Sequence, residues 1–320
     1  MININVSDII AFRNTSRNEN DEMNKKRESI IVCLLNKAIP DDYFNDKEYA
    51  SQWTELRDAL NLYIHNDLNI DLLCEYKAIL RAGRKYNYDF MIITENNAQY
   101  NIEFKFNASK VDDTPQFVSP MRPSQYLDSS YESYFWEKYL HELCKIANHT
   151  CPIEKDYLDQ IHNNSPICTK PLQDLYYQGC RSSSKYTGDE NAILFYTYSN
   201  MVSKESITHF IENNNLDINK LTNYLQETQK DKIYMMYKDG KFYKEEVDMD
   251  KYIIVSYVKE SSKYRYLCIT KMGVELTILL RWKNGNGIAF PAFQISTKKN
   301  KAVMEAKEKM NIVDISLSKH

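Results

Sequence analysis

The chain has 320 residues, of which 43% are apolar and 27% are charged, values typical of a folded globular protein rather than a disordered one. Its 41 Lys and Arg residues against 44 Asp and Glu residues give a formal net charge of -3, which excludes a chain-wide basic surface for nonspecific nucleic-acid binding. Glycine is scarce, with 7 residues, so a dependence on extended glycine-rich phosphate loops is also excluded.

The composition also bears on the location of the protein. No apolar segment approaches the roughly 18 to 20 residues that span a bilayer, and the N-terminal residues lack the basic start and apolar run of a secretory signal. We therefore expect no membrane partner and an intracellular protein, cytoplasmic or, in a eukaryotic host, nuclear. Seven cysteines, an odd number, are more typical of reduced thiols than of a disulfide framework.

The first part of the chain carries mainly helical patterns. Residues 1–50 are polar apart from one apolar stretch, which predicts a short helix that ends before Pro40. From residue 52 to residue 82, apolar residues recur at helical spacing, which predicts one or two helices with Gly83 as the stop signal.

The pattern then changes to that of strands. Two β-rich runs, 88–94 and 98–106, flank the turn-forming residues 95–97 and indicate a β-hairpin. The elements expected after the hairpin are a helix over 125–146, a loop over 148–190, a buried strand over 192–198, helical structure over 203–229 and strands from 232 onward.

These elements predict an α+β fold in three parts: a polar, helical extension (1–50), an α/β core (51–200), and a helix plus a β-rich part (201–320). Charge is distributed unevenly among them. Residues 251–320 carry 13 basic and 5 acidic side chains, a net charge of +8, whereas the rest of the chain has a net charge of -11. We therefore expect the C-terminal part to supply binding or target selection.

Acidic and lysine side chains are predicted to share one face of the hairpin. Residues two apart on a strand point the same way, so Glu103 and Lys105 lie on one side while Phe104 faces the core. Asp89 joins that side only if the facing residue numbers sum to 192 or 194. We therefore predict a three-residue connection at 95–97, or a bulge. Two carboxylates suit Mg²⁺ or Mn²⁺, and the lysine can polarise a water or stabilise charge on a phosphate.

This pattern, Asp89 followed after thirteen residues by Glu103-Phe104-Lys105, resembles the PD-(D/E)XK signature of restriction endonucleases and many repair and viral nucleases. The resemblance implies a restriction-endonuclease-like mixed sheet flanked by helices over about 70–199. It also implies that Asp89 and Glu103 bind the metal and that Lys105 assists the attacking water.

Two further residues complete the comparison with this family. Its members commonly place an acidic residue on the helix before the hairpin, and Glu75 is predicted to occupy that place as an additional catalytic residue and metal ligand. Tyr88 stands where the signature has its proline, a change that removes no ligand.

The resemblance implies a Mg²⁺-dependent or Mn²⁺-dependent nuclease that hydrolyses phosphodiester bonds, with DNA favoured over RNA and a homodimer as one way to address two strands. The alternative is a noncatalytic nucleic-acid-binding or interaction protein that retains a nuclease-like fold. Abundant Asn, Lys, Ile and Tyr indicate an AT-rich genome, which fits a viral or mobile-element source for either function.

Two groups of basic side chains are candidate nucleic-acid contacts. They are Arg81, Arg84 and Lys85 before the hairpin, and Arg281 and Lys283 in the β-rich part. Trp282, between the last two, is a candidate stacking surface. The alternative for the first group is a helix end, where basic side chains offset the helix dipole; the alternative for the second is an ordinary hairpin turn.

A third set of side chains, His and Cys residues crowded into 141–168, is a weaker candidate for a zinc site. Their spacing fits no standard zinc motif. Packing and loop exposure are the favoured interpretation.

Overall fold

The computed structural model describes residues 3–13, 20–71, 73–81, 86–108, 110–111, 122–163, 166–283 and 285–297, without the side chains of residues 20 and 21. The chain divides into two compact units, one made of residues 1–114 and 226–249 and the other of residues 115–225 and 250–320. Helices and a sheet occur in both units, which confirms the predicted α+β class.

The first unit contains helices α1 (Asn20–Leu35) and α2 (Ala50–Asn66) and strands β1 (Tyr76–Leu80), β2 (Phe90–Thr94), β3 (Gln99–Phe106), β4 (Ile233–Lys238) and β5 (Lys241–Glu245). The second unit contains helices α3 (Tyr131–Phe135), α4 (His141–Ile146), α5 (Glu154–Gln160), α6 (Lys170–Gly179) and α7 (Glu190–Asn213) and strands β6 (Ile254–Glu260), β7 (Arg265–Thr270), β8 (Glu275–Lys283) and β9 (Phe290–Thr297). Helix α8 (Ile218–Gln229) leads the chain back into the first unit. In these ranges no helix is both long and apolar enough to cross a bilayer.

The first unit has a mixed five-stranded sheet in the order β1-β2-β3-β4-β5. Strands β1, β2 and β3 form an antiparallel meander, β4 is parallel to β3, and β5 returns antiparallel to β4. Parallel neighbours need a crossover connection, and here the chain passes through residues 115–225 of the second unit between β3 and β4. Strands distant in sequence are therefore brought side by side.

The core of the first unit includes the N-terminal residues. Ile30 of α1 and Trp53 of α2 are fully buried in one apolar cluster with Ile102 of β3, and burial of each such side chain stabilises the fold by about 1.5–3 kcal/mol. The Trp53 Nε1–H also donates to the Val6 carbonyl at 2.9 Å. Described residues of the segment 3–50 thus contribute to this core, and the two units do not divide the chain at the predicted boundaries of 50 and 200.

The prediction of helices over 52–82 is correct only for α2. Residues 76–80 instead form strand β1, which pairs along its length with β2. The outer edge of β1 is capped at Ala78, whose N–H and carbonyl both bond the Asn36 side-chain amide at 2.8 Å. Pairing on one side and this amide on the other outweigh the helical spacing of the apolar residues. Gly83 lies outside the described residues.

The predicted buried strand over 192–198 is also wrong, because these residues belong to α7. The Asp189 carboxylate caps that helix by accepting from the Ala192 N–H at 2.9 Å, which offsets the β-rich composition of the segment. The predicted loop over 148–190 likewise contains α5 and α6. The β-rich end of the chain is confirmed: β6, β7, β8 and β9 pair antiparallel in that order.

The predicted hairpin is confirmed together with its register. The residue numbers of facing residues on β2 and β3 add up to 192, as in the pair Phe90 and Ile102. The Thr94 N–H donates to the Ala98 carbonyl at 3.0 Å, which extends the pairing by one residue and leaves the three residues 95–97 in the turn. Asn97 ends the turn in the left-handed region at φ 62°, the geometry expected for a three-residue hairpin connection.

We expect the conformation of Asn97 to stabilise the hairpin measurably. Asn97→Val places a β-branched side chain in the left-handed region and should lower the free energy of unfolding by about 1–2 kcal/mol. Asn97→Gly, which tolerates that conformation, serves as the control and should be close to wild type. Urea denaturation measures both; equal midpoints for the two variants would contradict this account of the turn.

Candidate active site

The hairpin register brings Asp89, the residue just before Phe90 at the start of β2, next to Glu103 of β3. Strand β3 continues beyond the first residue of β2, and Asp89 lies at the point where the two strands separate. Its N–H donates to the Ile102 carbonyl at 2.8 Å, and its Oδ2 accepts from the Phe104 N–H at 2.8 Å. The carboxylate of Asp89 is therefore fixed against the backbone of β3, next to Glu103.

Two lysines contact the carboxylate of Glu103, one at each oxygen. Lys105 Nζ lies 2.5 Å from Oε1 and Lys232 Nζ lies 3.7 Å from Oε2. Lys232 comes from the segment just before β4, and the parallel register that pairs Glu103 with Tyr234 places it on the same face of the sheet. The side chains are largely enclosed, with exposed fractions of 18% for Glu103, 19% for Lys105 and 7% for Lys232.

A third carboxylate approaches this group from α1. Glu28 is close enough to interact electrostatically with Asp89, Glu103 and Lys105. Burial, reinforced by the negative charges of Asp89 and Glu103, raises the pKa of Glu28 to about 8. Glu28 therefore keeps its proton at neutral pH in the cation-free protein.

Asp89 is shifted in the same direction. Burial raises the pKa of Asp89 to about 6, with a further contribution from Glu103. The Phe104 N–H and the ammonium groups of Lys105 and Lys232 act in the opposite direction and offset part of the increase. The surroundings of Asp89 and Glu28 therefore oppose ionisation of both carboxyl groups.

The ion pair at Glu103 behaves differently. Burial by itself would raise the pKa of Glu103, but Lys105 and Lys232 lower it below its usual value. Burial would likewise lower the pKa of Lys105, yet the contact with Glu103 raises it. Both members of this pair are therefore charged at neutral pH, and Lys105 is a hydrogen-bond donor and positive charge rather than a base.

Glu75 lies away from this group. It precedes β1, not a helix, and its carbonyl accepts from the Glu95 N–H at the turn of the hairpin. Asp89 lies at the opposite end of β2, where its carbonyl accepts from the Arg81 N–H at 2.8 Å. The length of β1, at about 3.3 Å per residue, separates Glu75 from the carboxylate cluster. The acidic residue that a helix does bring to the cluster is Glu28 of α1.

Arg81 is the predicted nucleic-acid contact that lies beside the cluster. Its guanidinium carbon lies 5.3 Å from the centre of the Tyr86 ring, and its Nε is buried without a hydrogen-bond partner among the described residues. Arg84 and Lys85 lie outside the described residues.

The other predicted contacts belong to the second unit. Arg281 is exposed and donates to Gln294 Oε1 at 2.8 Å, and Lys283 ends β8. Trp282 is only 4% exposed and donates to the Tyr131 hydroxyl at 3.0 Å. Its proposed role as a stacking surface is therefore wrong, because alternation along β8 turns it into the core.

The donor atoms of the cluster suit a hard divalent cation. Asp89, Glu103 and Glu28 offer carboxylate oxygens, which Mg²⁺ and Mn²⁺ prefer. Across the described part of the chain, no group of three or more His, Cys, Asp or Glu side chains is placed to hold a metal by itself. Mg²⁺ commonly uses only one or two protein carboxylates and takes its other ligands from water and phosphate, which matches Asp89 and Glu103.

Sequence reasoning missed two members of the cluster, Glu28 and Lys232. Glu28 lies far from the hairpin in sequence, in a helix whose pattern gave no sign of a site. Alternation could have assigned Lys232 to the same face as Tyr234 of β4. The pairing of β4 with β3 was not predictable from local patterns, because residues 115–225 separate the two strands in the chain.

Comparison with known proteins identifies no similar protein. No protein-family model, no curated protein and no solved structure matches this chain. The chemistry of the cluster is therefore inferred from its own geometry.

The raised pKa of Glu28 predicts how stability depends on pH. The unfolded carboxyl loses its proton near pH 4.3, whereas the folded one keeps it to about pH 8, so the free energy of unfolding should fall as pH rises between those values. Glu28→Gln removes this contribution and should stabilise the cation-free protein at pH 8 by about 1–3 kcal/mol, with little effect at pH 4.5.

Chemical denaturation at the two pH values measures this effect. Glu75→Gln is the matched control, because Glu75 is exposed at the start of β1 and its substitution should leave the pH dependence unchanged. A Glu28→Gln variant that is less stable than wild type at pH 8 would contradict the account.

Proposed function

We propose that the protein is a nuclease that requires Mg²⁺ or Mn²⁺ and hydrolyses phosphodiester bonds, with DNA as the favoured substrate and an endonuclease as the favoured mode. The observation that carries the proposal is the placement of the Asp89 carboxylate beside Glu103, with Lys105 bonded to Glu103. Glu103 and Lys105 on β3 alone would be an ordinary ion pair. The carboxylate of Asp89 joins them only because β2 pairs with β3 in this register.

Three further observations support the same conclusion. Helices α1 and α2 share a core with a mixed sheet, an arrangement of the kind that the PD-(D/E)XK resemblance implies, although the resemblance placed it over about 70–199. Glu28 on α1 would serve as the helical acid of that family in place of Glu75, although α2 lies between α1 and the hairpin in the chain. The raised pKa values of Asp89 and Glu28 indicate carboxyl groups whose ionised forms a bound cation would favour.

Each residue has a distinct role in this proposal. Asp89, oriented by the Phe104 N–H, and Glu103 would hold the cation. When bound, the cation would supply a Lewis acid that activates water and neutralises charge on the phosphate. Lys105 is charged and keeps N–H donors beyond its bond to Glu103, so it would orient the attacking water and stabilise the negative charge that develops on the phosphate. Glu28 would add charge and a proton-exchanging group.

Substrate binding would use cationic groups outside the carboxylate cluster. Arg81, whose Nε has no hydrogen-bond partner in the described residues, lies at the end of β1 next to Asp89 and would contact a phosphate. Arg281 and Lys283 belong to the second unit and to the part of the chain with net positive charge, and each would contact a phosphate there. Such contacts position the backbone and carry no sequence information.

A cleavage assay tests the proposal. Supercoiled DNA, linear DNA and RNA are incubated with the protein and Mg²⁺ or Mn²⁺, and the chelator EDTA should abolish cleavage. Asp89→Asn, Glu103→Gln and Lys105→Ala should each lower the cleavage rate by about 10²-fold or more, because each removes a metal ligand or the charge that stabilises the transition state.

Glu75→Gln is the matched control for the carboxylate variants and should cleave at the wild-type rate, whereas Glu28→Gln should be slower. Absence of cleavage on all three substrates, or undiminished cleavage by the Asp89 and Lys105 variants, would reject the proposal. Nucleic-acid binding without cleavage would instead support a noncatalytic binding protein.

A further inference from the structure

The second lysine of the cluster, Lys232, is not explained by the nuclease proposal. It occupies Oε2 of Glu103 at 3.7 Å while Lys105 occupies Oε1 at 2.5 Å. A carboxylate whose two oxygens face two ammonium groups is already neutralised by the protein. A cation that binds Glu103 therefore competes with these two ammonium groups for the charge of the carboxylate.

The contact to Lys232 is the one better placed to open. At 3.7 Å it exceeds hydrogen-bond distance, whereas the contact of Lys105 is a short hydrogen bond. Lys232 also has a second partner, the Asn87 carbonyl, to which its Nζ donates at 3.1 Å. It can thus leave Glu103 and remain bonded in its largely buried position, where its side chain is 7% exposed.

We propose that Lys232 is a resident counterion of Glu103 that competes with a divalent cation for this carboxylate. The proposal rests on the proposed function, because it takes Glu103 to be a cation ligand. Lys232 is then a positioning residue that keeps Glu103 neutralised and oriented before a cation binds. It also opposes cation binding, because its positive charge beside Oε2 repels a second positive charge.

A purely structural role for Lys232 makes a different prediction. The Lys232 contact with Asn87, and the Asn87 side-chain bond to the Thr228 carbonyl at 2.6 Å, tie the segment before Asp89 to the end of α8. If this were the only role of Lys232, its removal would loosen Asp89 and weaken cation binding. If Lys232 is a competing counterion, its removal strengthens cation binding.

Cation affinity is measured directly by calorimetric titration of Mg²⁺, and separately Mn²⁺, into the full chain without nucleic acid. Lys232→Met should lower the dissociation constant about tenfold, because it removes a partly buried unit charge less than 4 Å from a ligand oxygen. Lys232→Gln, which keeps a donor for the Asn87 carbonyl, should lower it as well. Lys232→Arg, which keeps the charge, should bind cations as wild type does.

Lys230→Met is the matched control, because Lys230 lies two residues away with its side chain 60% exposed and contacts Glu227. It should leave cation affinity unchanged. Circular dichroism and thermal denaturation of the cation-free proteins verify that the variants are folded. Should Lys232→Met be unfolded, the sign of the change in Lys232→Gln decides the question.

Unchanged or weakened cation binding in the folded Lys232 variants would overturn the proposal. Cleavage measured on the same proteins separates this result from the proposed function. Tighter cation binding without cleavage by any variant or wild type would reject the nuclease and keep the counterion. Cleavage by wild type, with cation affinity unaltered in both neutral Lys232 variants, would reject the counterion and keep the nuclease. Absence of cation binding in every protein would reject both.

Discussion

The candidate site depends on the register of the β2–β3 hairpin. Since side chains alternate along a strand, a shift of one residue would move Asp89 opposite Phe104 and to the other face from Glu103. The three-residue connection with Asn97 in the left-handed region sets the observed register. The same register leaves β3 extending past β2, so that the Phe104 N–H is available to orient Asp89. A feature of the turn thus determines the chemistry at the opposite end of the hairpin.

Placing three carboxylates and two lysines in a largely enclosed group has an electrostatic cost. Burial disfavours every charge, and the lysines neutralise Glu103 but not Asp89 and Glu28, whose pKa values rise to about 6 and about 8. Groups whose surroundings shift their pKa values in this way are typical of functional sites. A divalent cation would reverse this cost, since its charge favours the ionised form of each carboxylate.

The sequence was informative wherever local pattern decided the structure. Alternation and turn residues predicted the hairpin, its connection and the shared face of Asp89, Glu103 and Lys105, together with the β-rich end of the chain. Local pattern failed for β1 and for the start of α7, where pairing with β2 and capping by Asp189 outweighed residue preference.

Glu28 and Lys232 could not be found from sequence for a different reason. The packing of α1 in the first unit and the parallel pairing of β4 with β3 connect segments far apart in the chain, and no local signal encodes such contacts.

The central claim is that Asp89 and Glu103 share one cation. Its most direct test is anomalous diffraction from crystals grown with Mn²⁺. The account predicts one strong peak within about 2.3 Å of oxygens of both carboxylates; a peak that touches neither, or no peak, would contradict it.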